Sequence, residues 1–85
     1  MEYIVVAFRS REQTVKFSNF LNKNYISNRI INTPKEALVG CGLSVRVGVN
    51  SLSNVYRAVR AVSFSSFAGI FLVKELNGKR FVKTI

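Results

Sequence analysis

The first part of the chain alternates apolar and polar stretches in a way that predicts a strand, a helix and a second strand. Tyr3–Phe8 is an apolar run rich in aromatic and β-branched residues, which predicts a strand buried on both faces. Ser10 is a typical helix N-cap, and Gln13 completes a capping box with it. We expect a helix over about Arg11–Asn24 and a second, more polar strand over Ile26–Asn32. The apolar residues that recur mostly at helical spacing are Val15, Phe17, Phe20, Leu21 and Tyr25.

A compact turn signal, TPKE, follows the second predicted strand. Thr33 is a good N-cap, Pro34 suits the first helical position, and Glu36 closes a second capping box. We therefore expect one short helical turn over Lys35–Val39. Gly40 ends this turn because glycine adopts a positive φ without strain.

The second part of the chain predicts another strand, a second long helix and a hairpin. Leu43–Val49 alternates apolar with polar or small residues, as a half-buried strand does. Asn50 or Ser51 caps a helix with one apolar stripe, and its Arg57 and Arg60 point to solvent. The residues of that stripe are Leu52, Val55, Tyr56, Val59 and Val62.

The last two strands complete a predicted α+β fold. Ala68–Leu76 and Arg80–Ile85 flank Asn77-Gly78, a pair that favours a type I′ hairpin turn. The predicted order is β-α-β-β-α-β-β in a single domain over residues 1–85. Two helices on one face of an antiparallel sheet in this order indicate a ferredoxin-like sandwich.

Composition removes most catalytic chemistries. The 85 residues include no His and one Cys, which excludes Ser-His-Asp and Cys-His catalysis, His-ligated metals and an internal disulfide. Only four acidic residues are present, so we expect neither a metal nor another cofactor. No stretch reaches the roughly 18–20 apolar residues of a membrane span, and we expect a cytoplasmic protein with a reduced thiol.

Cys41 is the one residue whose surroundings indicate chemistry. Gly40 and Gly42 remove side-chain bulk on both sides, so a reagent can approach the sulfur. Lys35 and Arg46 are cations that favour a thiolate, with Lys35 the better candidate because an extended strand carries Arg46 away. The dipole of the short preceding turn opposes an anion at its end. The residues alone leave open that Cys41 is a small buried hydrophobe.

The order TPKE, then CGL, then an alternating strand that includes Arg46 resembles the signature of the small Se/S carrier-like family. The resemblance covers roughly residues 3–62. It implies a carrier rather than a turnover enzyme, with a persulfide or perselenide on Cys41 and with protein donors and acceptors of sulfur or selenium as partners. The supporting positions are Thr33, Pro34, Lys35, Gly40, Gly42 and Arg46.

A different class of function fits the charge. Thirteen Lys and Arg against four acidic residues give a net charge of +9, which attracts polyanions. The alternative is a basic module that binds nucleic acid or protein and has a structural cysteine. Phe64, Phe67 and Phe71 lie near several lysines, as in base-stacking surfaces, although core filling explains such phenylalanines more often. The edge of the C-terminal hairpin also permits a homodimer.

Overall fold

The computed structural model of the chain describes residues 1–37 and 40–85 and contains five strands and two α-helices within them. The strands are β1 (Glu2–Phe8), β2 (Asn28–Asn32), β3 (Leu43–Val47), β4 (Phe67–Leu76) and β5 (Lys79–Thr84). The helices are α1 (Arg11–Lys23) and α2 (Leu52–Ala61), and 3-10 turns span Lys35–Ala37 and Val49–Ser51. The α+β class and the order of the elements are confirmed.

The strands form one sheet in the order β2-β3-β1-β4-β5, and every neighbouring pair is antiparallel. β1 lies in the centre, where Ile4 pairs with Val47 on one side and with Leu72 on the other. Residues 3–8 are buried, which confirms a strand covered on both faces. The apolar run of β1 therefore occupies the central position of the sheet, where burial of polar side chains would cost free energy.

Both helices pack on one face of this sheet. Phe17 and Leu21 of α1 join Val55 and Ala58 of α2 in a cluster with the helix-facing residues of β1, β3 and β4. Phe17 also belongs to an aromatic group, with ring centroids 5.1 Å from Phe8 and 5.3 Å from Phe64. Phe64 and Phe71 are buried and Phe67 packs against the core, so these three phenylalanines fill the interior as expected.

The ends of α1 confirm one prediction and correct two. Ser10 caps the helix, since its Oγ accepts a hydrogen bond from the Gln13 N–H at 3.2 Å. The Gln13 side chain does not close a capping box: its Oε1 accepts from the N–H and Oγ of Ser66, which ties α1 to the loop before β4. Tyr25 lies beyond the helix with φ 59° and is 98% exposed, so it is not part of the apolar stripe. The N–H of Ile26 bonds to the Leu21 carbonyl and closes the helix end around it.

On the opposite face of the sheet, the buried residues include Ala37 of the 3-10 turn between β2 and β3. Ala37 packs there against Tyr3, Val5, Ala7, Phe71 and Val73. The expected turn is a 3-10 turn over Lys35–Ala37, and the remaining two residues of that prediction, Leu38 and Val39, lie outside the described residues.

The expected capping of this turn is wrong in detail. The hydroxyl of Thr33 shares a hydrogen bond with that of Ser44, and the Thr33 N–H donates to the Gly42 carbonyl. The Glu36 carboxylate accepts from Arg80 of β5 rather than from the Thr33 N–H. The Thr33 and Glu36 groups that would form a capping box therefore bond to residues that are distant in sequence.

The remaining elements differ from prediction mainly at their ends. β2 begins at Asn28, and β3 ends at Val47 because the chain enters the second 3-10 turn. Asn77 and Gly78 have φ values of 53° and 77°, as the predicted type I′ turn requires. Across the described ranges, neither helix combines the length and the apolar character needed to cross a bilayer.

Candidate functional site: the Cys41 loop

The Cys41 loop, residues 40–42, is held against the end of β1. The N–H of Cys41 donates to the carbonyl oxygen of Phe8 at 3.1 Å. Gly40 has φ +89°, and a Cβ placed there would lie 2.9 Å from the same Phe8 oxygen. Gly42 has φ +97° with open space around it. Both glycines are therefore needed for backbone conformation, and Gly40 also for a close approach that any side chain would block.

The base of the loop is closed by the connection from β2. The Thr33 N–H donates to the Gly42 carbonyl at 2.8 Å, and the Thr33 hydroxyl lies 2.6 Å from the Ser44 hydroxyl. Ser44 is fully buried, and Pro34 next to Thr33 is also buried. Thr33 of the TPKE segment thus anchors the loop, and its hydroxyl bonds to Ser44 rather than to the sulfur.

Among the described residues, two polar groups lie near the sulfur of Cys41. Its Sγ lies 3.8 Å from the Leu43 carbonyl oxygen and 3.8 Å from Thr14 Oγ1 of α1. Thr14 is fully buried, and its hydroxyl donates to the Ser10 carbonyl at 3.0 Å. The hydroxyl and the thiol have one hydrogen each, and in this arrangement Thr14 donates to Ser10 while the thiol donates to the Leu43 carbonyl. Rotation of that hydroxyl would instead direct a donor at a thiolate.

The electrostatic setting of the sulfur differs from the one expected. The sequence suggested that the dipole of the preceding turn disfavours an anion. The structure puts Sγ against Thr14, in the first turn of α1, where the helix N-terminus carries partial positive charge. Arg9 and Arg11 are both exposed and stand on either side of the N-cap Ser10. The sulfur therefore lies beside the first turn of α1.

The structure separates Arg46 from the sulfur. The Arg46 guanidinium stacks on the Tyr3 ring, 3.9 Å from its centroid, and Nη2 lies 3.5 Å from the sulfur of Met1. These contacts are at the Met1 end of β1, whereas Cys41 bonds to Phe8 at the other end. Lys35 is exposed in the 3-10 turn, and among the described residues no hydrogen bond or ion pair joins it to Cys41.

Sequence reasoning missed Thr14. It stands 27 residues before Cys41, in a helix whose apolar stripe was assigned entirely to core packing. A buried Thr within the first helical turn carries no local signal for a distant sulfur. Only the packing of α1 against the end of β1 brings the two side chains together.

The fold and this site define a small α+β protein with a single, partly exposed cysteine at the N-terminal turn of a helix. The sequence model of the family described as "Putative Se/S carrier protein-like" matches residues 2–65. The chain belongs to this family, which confirms the family that its sequence resembles. The match ends before β4, so the β4–β5 hairpin lies outside the matched residues. No curated protein and no solved structure matches the chain.

Proposed function

We propose that this protein carries sulfur or selenium on Cys41 as a persulfide or perselenide. The family match over residues 2–65 of a chain with one cysteine is the observation on which the proposal depends. Its support from geometry is the partly exposed Cys41, whose loop has two positive-φ glycines and whose sulfur lies against the N-terminal turn of α1. A reducing compartment such as the cytoplasm suits this chemistry, because a free thiol persists there.

The loading step is a thiolate displacement. The Cys41 thiolate attacks the outer sulfur of a persulfide on a donor protein, and a new S–S bond forms between them. The S–S bond of the donor breaks, its electron pair stays on the donor cysteine as a thiolate, and the outer sulfur keeps its hydrogen. Unloading repeats the step with an acceptor thiolate attacking the outer atom on Cys41. A perselenide follows the same scheme with selenium as the outer atom.

The surrounding residues have distinct roles in this proposal. The α1 N-terminus and the Thr14 hydroxyl stabilise the attacking and the departing thiolate of Cys41. Gly40 and Gly42 hold the loop and leave the sulfur accessible. Lys35 adds a mobile, exposed cation, while Arg46 stabilises the sheet face through Tyr3 and acts less on the sulfur.

Mass spectrometry tests the proposal directly. The protein is incubated with a cysteine desulfurase and cysteine, and Cys41 should gain the mass of one sulfur atom. The Cys41→Ser variant should gain none, and reductant should remove the added mass from the wild type. Absence of an adduct at Cys41, under conditions that load an authentic sulfur carrier, would contradict the proposal.

The arrangement of strands supports the finer assignment of the fold as ferredoxin-like. In that fold, β3 lies between β2 and β1, and β1 lies between β3 and β4, with a helix after β1 and after β3. The order β2-β3-β1-β4 with α1 and α2 at these places fits that scheme. β5 then adds a strand next to β4.

A further inference from the structure

β5 is an edge strand whose outer backbone groups have no partner among the described residues. The Ile85 N–H donates to the Ile70 carbonyl, and the register pairs Lys83 with Leu72 and Phe81 with Lys74. Residues of an antiparallel strand direct their backbone groups to alternate sides, so this set faces β4. The N–H and C=O groups of the intervening residues point away from the sheet; these residues are Arg80, Val82 and Thr84.

The side chains of β5 on the helix-bearing face are alternately cationic and apolar. Leu72 packs against the helix-face core, so its partner Lys83 lies on that face, as do Lys79 and Phe81 by alternation. Phe81 is 55% exposed, and Leu76 across the turn is 58% exposed. This strip combines apolar area with positive charge and is not covered by either helix.

Few carboxylates lie close to the lysines of this strip, which consists of Leu76, Lys79, Phe81 and Lys83. Within the described residues, the ion pairs are Lys74 with Glu2 at 3.8 Å and Arg80 with Glu36 at 3.0 Å. Neither Lys79 nor Lys83 has a carboxylate of a described residue within 4.0 Å of its amino group. Two β5 strands from two copies would bring such lysines together with no acidic residue between them, and like charges across a strand pair are destabilising. The edge therefore disfavours a second copy of this chain as its occupant.

We propose that β5 binds an extended acidic segment of a partner protein, which adds to the sheet as a sixth strand. Its backbone bonds to the outward groups of Arg80, Val82 and Thr84. Its carboxylates face Lys79 and Lys83, and apolar side chains between them cover Phe81. A peptide satisfies both the free N–H and the free C=O groups of the edge, whereas a nucleic acid backbone offers acceptors alone. This proposal does not depend on transfer chemistry at Cys41.

Peptide binding tests the proposal. The probe is a fluorescein-labelled ten-residue peptide in which one strand face carries glutamate and valine in turn, at every second residue, and the other face carries threonine; binding is measured by fluorescence anisotropy at low salt. The control peptide has the same side chains with N-methyl groups on alternate amides, which removes strand pairing and keeps the charge. On the protein side, Lys79→Glu/Lys83→Glu is compared with Lys16→Glu/Lys23→Glu on α1, which changes the net charge equally.

We expect the parent peptide to bind and the N-methylated peptide to bind at least about tenfold more weakly. The β5 double variant should lose about tenfold in affinity, and the α1 double variant should stay within about twofold. In amide NMR spectra of the wild type, the peptide should shift Arg80, Val82 and Thr84 most.

Several outcomes would overturn the proposal. One is no binding of the parent peptide, and another is equal binding of the N-methylated peptide. Equal losses in the two charge-reversed variants would reduce the effect to net charge. An oligothymidylate that binds more tightly than the peptide, and only when Lys79 and Lys83 are present, would assign the strip to nucleic acid. A dimer in sedimentation that the β5 variant dissociates would assign it to a second copy.

Discussion

Cys41 acquires its chemical setting from a hydroxyl that the chain supplies 27 residues earlier. Thr14 Oγ1 lies 3.8 Å from the sulfur. Among the described residues, it is the only side-chain hydroxyl in contact with the sulfur. The thiolate is the reactive form of a cysteine, and the Thr14 hydroxyl can rotate to donate a hydrogen bond to it. In the proposed transfer, the hydroxyl therefore matters most when the sulfur is ionised.

We expect Thr14→Val to slow alkylation of Cys41 by iodoacetamide near pH 7 by about threefold to tenfold, because a hydrogen bond to a charged group is lost. Val has nearly the same shape, so the packing of α1 should persist. Thr33→Val is the matched control, since the Thr33 hydroxyl bonds to Ser44 and not to the sulfur.

Lys35→Ala should also slow alkylation of Cys41, and Arg46→Ala should change the alkylation rate less. Alkylation of Cys41 only after unfolding would instead indicate a structural cysteine.

Gly40 has a backbone role that can be separated from access to the sulfur. Its φ is +89°, and an added Cβ would lie 2.9 Å from the Phe8 carbonyl oxygen, a backbone atom of the central strand. We expect Gly40→Ala to lower the free energy of unfolding by about 1–3 kcal/mol. Gly48→Ala is the matched control, because Gly48 has φ −70° and open space around it, and it should change stability by less than about 0.5 kcal/mol. Denaturant titration measures both, and equal effects would show that the close approach to Phe8 is unimportant.

At the scale of elements, the 3-10 turn over Lys35–Ala37 joins two parts of the chain that are distant in sequence. The Glu36 carboxylate pairs with Arg80 of β5, with Arg80 Nε and Nη2 each 3.0 Å from Oε1. A hydrogen bond from its own backbone N–H, and then Arg80, holds the pKa of Glu36 below its usual 4.5. Glu36 in turn raises the pKa of Arg80. The turn is thus fastened to an edge strand by one exposed ion pair.

The pH dependence of this pair has a definite sign. A carboxylate with a lowered folded-state pKa stabilises the fold fully above its unfolded value of 4.5, and the effect is lost as the pH falls through the lower folded-state pKa. We expect Glu36→Gln to lower the Tm at pH 7 and to converge with the wild type in strong acid. Thermal unfolding of the wild type, Glu36→Gln, Arg80→Gln and the double variant checks this. A Tm difference that stays constant across the acid range would contradict the assignment.

Local patterns predicted the elements whose residues interact with near neighbours. The Ser10 cap, the apolar run of β1 and the Asn77-Gly78 turn each act over a few residues, and each is observed. Patterns failed where a distant partner takes the same atoms. Gln13 bonds to Ser66 instead of the cap.

The candidate site divides in the same way. The positive φ of Gly40 was predictable from its place after the turn, whereas the approach of Cys41 to Phe8 and Thr14 was not. Its partners come from β1 and α1, and no spacing near residue 41 encodes them.

At the scale of the whole molecule, the two faces of the sheet are stabilised differently. The helix-bearing face holds a continuous core that includes Phe8, Phe17 and Phe64, with ring centroids 5.1–5.3 Å apart. The opposite face is covered by a short turn and by Arg46 over Tyr3. Phe8 belongs to this aromatic group, and its carbonyl oxygen accepts the hydrogen bond from the Cys41 N–H. The aromatic group therefore fixes the end of β1 to which the Cys41 loop is bonded.

Loss of the aromatic group should therefore destabilise the molecule and also alter Cys41. Phe17 is fully buried, and we expect Phe17→Ala to cost about 3–5 kcal/mol. In a domain of 85 residues that is a large share of a total of about 4–13 kcal/mol, and the Tm should fall by more than about 10 °C. Phe81→Ala is the matched control, because Phe81 is 55% exposed on β5 and its removal should cost less than about 0.5 kcal/mol. Iodoacetamide labelling at rising denaturant concentration measures the accessibility of Cys41 in the same samples. In Phe17→Ala, labelling of Cys41 should increase at the same lower denaturant concentration at which the variant unfolds. If labelling instead follows the wild-type denaturant dependence, the Cys41 loop is not held in place by this core.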